Sequence, residues 1–114
     1  MLVPDLFEEG CLLFNTGKFY EAHEVWEDLW RATAQPGLKT CYQGLIQAAV
    51  GLHHLNRQNL VGARSQLAKS IRNLQSAASR PEHLDVVGLI EQLTVVLREL
   101  PEKAPSDLGI TRLK

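Results

Sequence analysis

The side chains best suited to chemistry lie close together in the stretch EAHEVWEDLW, residues 21–30. His23, Glu27 and Trp30 follow the spacing H-x-x-x-E-x-x-W. At about 100° per residue on a helix, this spacing places His23 and Glu27 one turn apart and Trp30 a turn further on the same side. An imidazole beside a carboxylate can hold a metal ion, accept hydrogen bonds from a ligand, or transfer protons. The pattern therefore marks a candidate site on the inner edge of one helix.

The His23–Glu27 pair has three interpretations. In the structural one, Glu27 supports the ring of a core-lining histidine, because buried polar groups need hydrogen-bond partners. In the second, both side chains bind a divalent metal ion, and HEVWE resembles the zinc helix H-E-x-x-H with glutamate in place of the second histidine. A zinc or iron site needs at least one more protein ligand. The candidates for that ligand are Cys11, Gln47, His53 and His54.

In the third interpretation, the pair performs acid–base catalysis. The sequence contains neither a G-x-S-x-G nucleophile motif nor a glycine-rich phosphate loop to accompany the pair. We therefore expect a binding site rather than an enzyme.

Two residues outside this stretch complete the expected ligand-binding set. Gln47 lies on the part of the third helix that faces His23, and Arg64 lies beside the core stripe of the fourth helix, within reach of an anionic ligand. The alternative for Arg64 is a surface position in which only its aliphatic part is packed. The predicted ligand-binding residues are thus His23, Glu27, Trp30, Gln47 and Arg64.

Helical periodicity runs through every long segment that must position these residues. Apolar stripes and turn signals predict helices over residues 5–14, 18–33, 38–57, 60–78 and 86–100. Short connections require neighbouring helices to run antiparallel. We predict an all-α, single-domain antiparallel array of about five helices, residues 1–114, built from tetratricopeptide-like helical hairpins. Its core covers residues 5–100, and residues 101–114 form a polar C-terminal tail.

Glycine and proline refine this prediction. Gly17 suits the left-handed backbone that ends a helix. Gly44 and Gly51 inside the third helix would lower its stability unless a neighbour packs closely against them, and tryptophans are the expected neighbours. The AQPG segment, residues 34–37, is expected to interrupt the helical structure between the second and third helices. Pro81 suits a first helical turn.

Composition limits the classes of protein that the chain can represent. It has 114 residues, of which 45% are apolar, as in an ordinary globular domain. The sequence shows neither a membrane-spanning run nor a secretory signal, so we expect a cytoplasmic protein. The lone cysteines Cys11 and Cys41 are expected to be small buried side chains rather than a disulfide.

Charge is distributed unevenly along the chain. Residues 1–28 hold seven acids and one base, whereas residues 29–81 hold seven bases and no acid. One interpretation is that these charges complement each other within the domain. The other is that the basic middle hairpin meets a protein partner or a second copy of the chain. The bases are dispersed and lack interleaved aromatics, so nucleic-acid binding is not expected.

Several short motifs together resemble a known family. LFNTGKFYEAHEVWEDLWR and CYQGLIQAAVGLHHLNRQNLVGARSQL combine the H-x-x-x-E-x-x-W pattern with the QGLIQ stretch at 43–47, the pair His53–His54 and the GAR stretch at 62–64. This combination resembles the domain of unknown function 309 family over residues 5–75. That family consists of small all-helical proteins of bacteria and archaea. The resemblance implies a helical fold, and metal binding has been suggested for the family motif. It implies no established activity.

The sequence thus predicts a small-ligand or metal-binding pocket at His23, Glu27 and Trp30. The alternative is a protein-interaction module in which this motif is structural and the basic face of the third and fourth helices binds a partner. The cofactor is unspecified beyond a divalent metal ion.

Overall fold

Every regular element in the described part of the chain is an α-helix, as the sequence predicts. The structure is a computed structural model that describes residues 5–101. The predicted C-terminal tail lies outside this range except for Pro101. The helices are α1 (Leu6–Asn15), α2 (Phe19–Ala32), α3 (Pro36–Asn56), α4 (Leu60–Ser76) and α5 (Val86–Glu99).

Side-chain caps determine where four of these helices begin. The Asp5 carboxylate accepts a hydrogen bond from the Glu8 amide at 3.1 Å, three residues into the chain's first helix. Asn59 caps α4 and Asp85 caps α5 in the same way, each through the amide three residues later. Each cap satisfies an amide that has no partner within the first turn of a helix. At the other end of α1, Gly17 has φ +83°, the left-handed conformation that the sequence predicts.

The third helix begins earlier than predicted. Pro36 is its first residue, whereas the sequence placed a break through residue 37. The Gln35 side-chain oxygen accepts the Leu38 amide at 2.7 Å and so acts as the cap. Proline fits the first helical position because it needs no amide partner there.

The other proline prediction was wrong. Pro81 is not in a first helical turn, because α5 begins only at Val86. Arg80, which precedes this proline, has no acceptor with which to cap a helix. Asp85 has one, and its carboxylate accepts the Gly88 amide at 2.9 Å.

Consecutive helices pack side by side and run antiparallel. In the first two pairs, the end of one helix contacts the start of the next. Along α3, the earlier Gly44 meets Leu74 of α4 and the later Gly51 meets Leu67, and the start of α4 contacts the end of α5. The contacts are Phe14 with Phe19 for α1 and α2, Trp30 with Lys39 for α2 and α3, Gly51 with Leu67 for α3 and α4, and Arg64 with Leu100 for α4 and α5. The predicted antiparallel array is therefore confirmed.

The central helix α3 supplies the largest share of the core. Its buried residues are Cys41, Tyr42, Gly44, Leu45, Ile46, Ala48, Ala49 and Gly51. The cysteines are free thiols: Cys41 is fully buried and Cys11 is half-buried. Among the described helices, none is both long and apolar enough to cross a membrane.

Gly44 and Gly51 of α3 allow α4 to approach closely. A Cβ at Gly51 would lie 2.8 Å from side-chain carbons of Leu67, and one at Gly44 would meet Leu74 at the same distance. Between these contacts, the buried Ser70 hydroxyl donates to the Gly44 carbonyl at 2.6 Å. Close packing at both glycines is thus confirmed, but the neighbours are leucines and not tryptophans.

Tryptophan meets a glycine elsewhere. The indole of Trp26 in α2 lies directly against the backbone of Gly10 in α1, where an added Cβ would overlap the ring. Trp26 is only 2% exposed, and its Nε1 donates to the Phe7 carbonyl at 3.3 Å. This contact joins α1 to the rest of the core.

Gly10→Ala should therefore destabilise the protein, although Gly→Ala inside a helix ordinarily stabilises by about 0.5–1 kcal/mol. We expect a loss of about 1–3 kcal/mol in the free energy of unfolding, because the rigid indole must move. Urea unfolding measures it. In a Trp26→Leu background, the same substitution should cost much less. An equal cost in both backgrounds would contradict the proposed overlap.

Candidate functional site

The inner edge of α2 holds His23 in one defined orientation. The His23 side chain is 15% exposed, and its Nδ1 lies 2.7 Å from the Tyr20 carbonyl oxygen. A carbonyl only accepts hydrogen bonds, so Nδ1 carries the hydrogen. In the neutral ring, Nε2 is then left with a free lone pair. Nε2 is therefore the atom of His23 that is available to a ligand.

The Glu27 carboxylate lies next to that nitrogen. Glu27 Oε2 is 3.7 Å from His23 Nε2, which is too long for a hydrogen bond but short enough for an ion pair if the ring is protonated. The other carboxylate oxygen lies 3.6 Å from Arg31 Nη2. Arg31 makes its closer contact with Asp28, at 2.9 Å. Glu27 is 41% exposed, so both His23 Nε2 and the carboxylate can be reached from one side of α2.

The remaining acids of this stretch point away from the His23–Glu27 pair. Glu21, Glu24 and Asp28 are all exposed.

Trp30 forms one wall of a small recess. We call this feature the Trp30 recess; it has a volume of about 240 Å³ and is lined by Trp30, Lys39, Thr40, Gln43 and Asn73. Lys39 Nζ lies 3.5 Å from the centroid of the Trp30 ring and donates to the Trp30 carbonyl at 2.7 Å. The recess is thus polar, with one cation already held against the indole.

Of the other predicted residues, Gln47 lies beside this recess and Arg64 does not line it. Gln47 Oε1 accepts a hydrogen bond from Asn73 Nδ2 at 2.7 Å, so Gln47 orients a residue of the recess wall. The Arg64 guanidinium instead donates to the carbonyls of Leu100, at 3.3 Å, and Pro101. It thereby satisfies carbonyls at the end of α5 that have no partner within that helix.

An aromatic contact connects His23 to α3. The Tyr20 ring lies between two imidazoles, with its centroid 4.8 Å from that of His23 and 5.2 Å from that of His53. Burial lowers the pKa of His53, and the positive charges of Arg57, His54 and His23 lower it further. The sequence analysis identified His53 but not Tyr20. Tyr20 lies outside the apolar stripe of α2 and is 49% exposed.

Of the predicted third metal ligands, Cys11, His53 and His54 complete no cluster within residues 5–101. Within residues 5–101, no group of three His, Cys, Asp or Glu side chains is arranged to hold a metal ion. Cys11 lies on the α1 side of α2, in a different cavity. His54 contacts Asn59, with 3.3 Å between Nδ1 and the amide nitrogen. Any metal held by His23 and Glu27 would thus take its remaining ligands from elsewhere.

Sequence reasoning missed a second and larger cavity. We call it the α1–α5 cleft; it has a volume of about 420 Å³. Its apolar lining consists of Phe7, Phe14, Trp26, Leu45, Leu84 and Leu89. Its polar lining consists of Glu8, Cys11, Asn15, His83, Asp85 and Gln92. Phe7, Phe14, Trp26 and Leu45 read as core positions in their own helices, so no local signal could show that α1 and α5 leave a gap.

The fold and the α2 motif together define a class of protein: a small all-α helical array with a His–Glu pair on its second helix. The profile of the domain of unknown function 309 (DUF309) family matches residues 7–66, more than half of the chain. The chain belongs to this family, as the resemblance predicts.

Two curated relatives are similar to the chain, and both are uncharacterised. The protein YpuF of Bacillus subtilis is 39% identical over 102 residues, which are 87% of this chain and 59% of that protein. An uncharacterised protein of Aquifex aeolicus is 42% identical over 55 residues, 48% of this chain and 16% of that protein. The chain therefore spans less than two thirds of either relative.

Lys39→Met should lower the free energy of unfolding by about 1 kcal/mol, because it removes a hydrogen bond and a cation–π contact but keeps an aliphatic side chain. Urea unfolding and the chemical shift of the Trp30 indole N–H would report the change. Lys69→Met, at an exposed position of α4, is the control and should leave both unchanged. If the two variants are equally stable, Lys39 does not hold Trp30 in place.

Proposed function

We propose that the chain is a ligand-binding domain and that its site is the His23–Glu27 pair together with the adjoining Trp30 recess. The pair receives a cation or a strong hydrogen-bond donor of a small ligand. A divalent metal ion and an organic ammonium group are two sources of that chemistry. We infer a binding role rather than catalysis, and we retain the cytoplasmic location that the sequence predicts.

The observation that carries this proposal is the orientation of the His23 ring. Its Nδ1–H is used by the Tyr20 carbonyl at 2.7 Å, so the neutral ring presents a lone pair at Nε2. Metal-binding histidines are oriented by the same kind of hydrogen bond from the second ring nitrogen. The ring is thus arranged as a ligand would require.

The second supporting feature is the pairing of two acceptors. The neutral Nε2 and the Glu27 carboxylate lie 3.7 Å apart and both carry lone pairs. Neither can donate a hydrogen bond to the other. Both acceptors gain a favourable interaction only when a proton on the ring, a metal ion or a donor group lies between them. A ligand body that enters the Trp30 recess would share it with the Lys39 ammonium, which lies 3.5 Å from the centroid of the Trp30 ring.

Titration of isotope-labelled protein with Zn²⁺, Mn²⁺ or ethanolamine tests the proposal. We expect the signals of the His23 ring and the Glu27 carboxyl to shift, or to broaden with Mn²⁺. Elemental analysis of protein purified without an affinity tag distinguishes the metal from the amine. His23→Gln or Glu27→Gln should weaken binding at least about tenfold, because each removes one of two contacts.

Glu24→Gln, at an exposed position of the same helix, is the matched control that should bind normally. If no probe perturbs the His23 and Glu27 signals, the proposal fails. If His23→Gln and Glu27→Gln each lower the free energy of unfolding by a few kcal/mol without any binding, the pair has a structural role instead.

The exposed face of α4 favours a second candidate function, association with another copy of the chain. This face carries Val61, which is 79% exposed, together with Lys69 and Arg72. Within the described residues, neither base forms an ion pair. Among the bases of residues 29–81, only Arg31 pairs with acids in the described part of the same chain, Glu27 and Asp28. The acids exposed on α1 and α2 of a second copy are complementary to this face.

Reversing both charges, Lys69→Glu with Arg72→Glu, should therefore reduce self-association at low salt. Sedimentation or light scattering at several salt concentrations measures it, since exposed charge pairs are screened by salt. Lys18→Glu with Arg98→Glu makes the same change in net charge at other exposed positions and is the control. A wild-type chain that stays monomeric at every salt concentration would rule out self-association.

A further inference from the structure

We propose that the α1–α5 cleft is a second binding site and that it takes a small amphiphilic cation, a molecule with an aromatic or aliphatic body and an ammonium group. This site is separate from the His23–Glu27 pair. Nothing in the proposal depends on the function proposed for that pair.

The size and lining of the cleft fit the body of such a ligand. Its volume of about 420 Å³ falls within the range of about 300–1,000 Å³ that is usual for small-molecule sites. The indole of Trp26 and the rings of Phe7 and Phe14 line one side, and Leu84 and Leu89 line the other. Such a surface favours an apolar group of one or two rings, because moving its apolar surface out of water is favourable.

The walls of the cleft are also built to keep their shape. Trp26 is held by its hydrogen bond to the Phe7 carbonyl and by its seat against Gly10. Asp85 is held by its own cap hydrogen bond to the Gly88 amide. A ligand would therefore meet a preformed wall on both sides, which lowers the cost of binding.

The charges around the cleft favour a ligand with a positive charge. Glu8 and Asp85 both line it, one from each side, and the lining contains neither lysine nor arginine. Glu8 is exposed and forms no ion pair within the described part of the chain. Two carboxylates beside an apolar cavity attract a cation and repel an anion.

The Cys11 thiol reports the same negative charges in this cleft. Burial, followed by the charges of Glu8 and Asp5, raises the pKa of its thiol to about 11. The same charges that disfavour a thiolate favour an ammonium group in its place. Cys11 thus remains a neutral thiol at physiological pH and adds no charge to the lining.

Two matched probes test the proposal: naphthylmethyl-trimethylammonium and naphthylacetate. They share one bicyclic body and carry opposite charges. The chain has two tryptophans, and each lines a different cavity. We expect the cation to shift the Trp26 indole N–H signal, to leave that of Trp30 unchanged, and to protect Cys11 from alkylation. The anion should bind at least about tenfold more weakly.

Glu8→Gln should weaken cation binding about fivefold, the usual effect of an exposed charge pair, without weakening anion binding. Glu9→Gln is the matched control, because Glu9 is the exposed neighbour of Glu8 and does not line the cleft. The proposal is overturned if neither probe binds or if both bind equally well. It is also overturned if the cation shifts only Trp30, or if Glu8→Gln and Glu9→Gln have the same effect.

Discussion

The packing of the Trp26 indole against the bare backbone of Gly10 is the contact on which the rest of the arrangement depends. A ring of this size cannot be buried between two helices unless one of them offers a position without a side chain. The contact sets the distance between α1 and α2. Because α2 then packs on the central helix α3, it also sets how far α1 lies from the elements beyond α3.

The packing of Trp26 against Gly10 gives α2 two chemically different edges. Trp26 and His23 lie about 60° apart around the helix, and Glu27 lies further in the same direction. The edge with Trp26 lines the α1–α5 cleft, whereas the edge with His23 faces Tyr20 and α3. One short helix thereby separates an apolar, acid-rimmed cavity from a polar His–Glu pair. The two proposed ligands differ for the same reason, since one site selects an apolar body and the other a coordinating group.

Local sequence signals predicted the helices well, including the residues that share a face of α2. They failed for the prolines, where two identical residues behave differently because the residue before each one differs. Pro36 begins α3 because Gln35 can cap it, while Pro81 begins no helix because Arg80 cannot. The glycines of α3 did indicate close packing. A glycine identifies an approach but not the residue that approaches, and leucines of α4 occupy that place.

The sequence by itself determined which residues form helices and which share a face, because helical period and capping act within a few residues. It therefore placed His23, Glu27 and Trp30 together. Only the tertiary structure decided that Lys39 covers Trp30, that Arg64 binds the end of α5, and that a cleft remains between α1 and α5. Those features depend on distances between helices far apart in the chain. Such distances follow from how side chains of particular volume fit together, which no local pattern encodes.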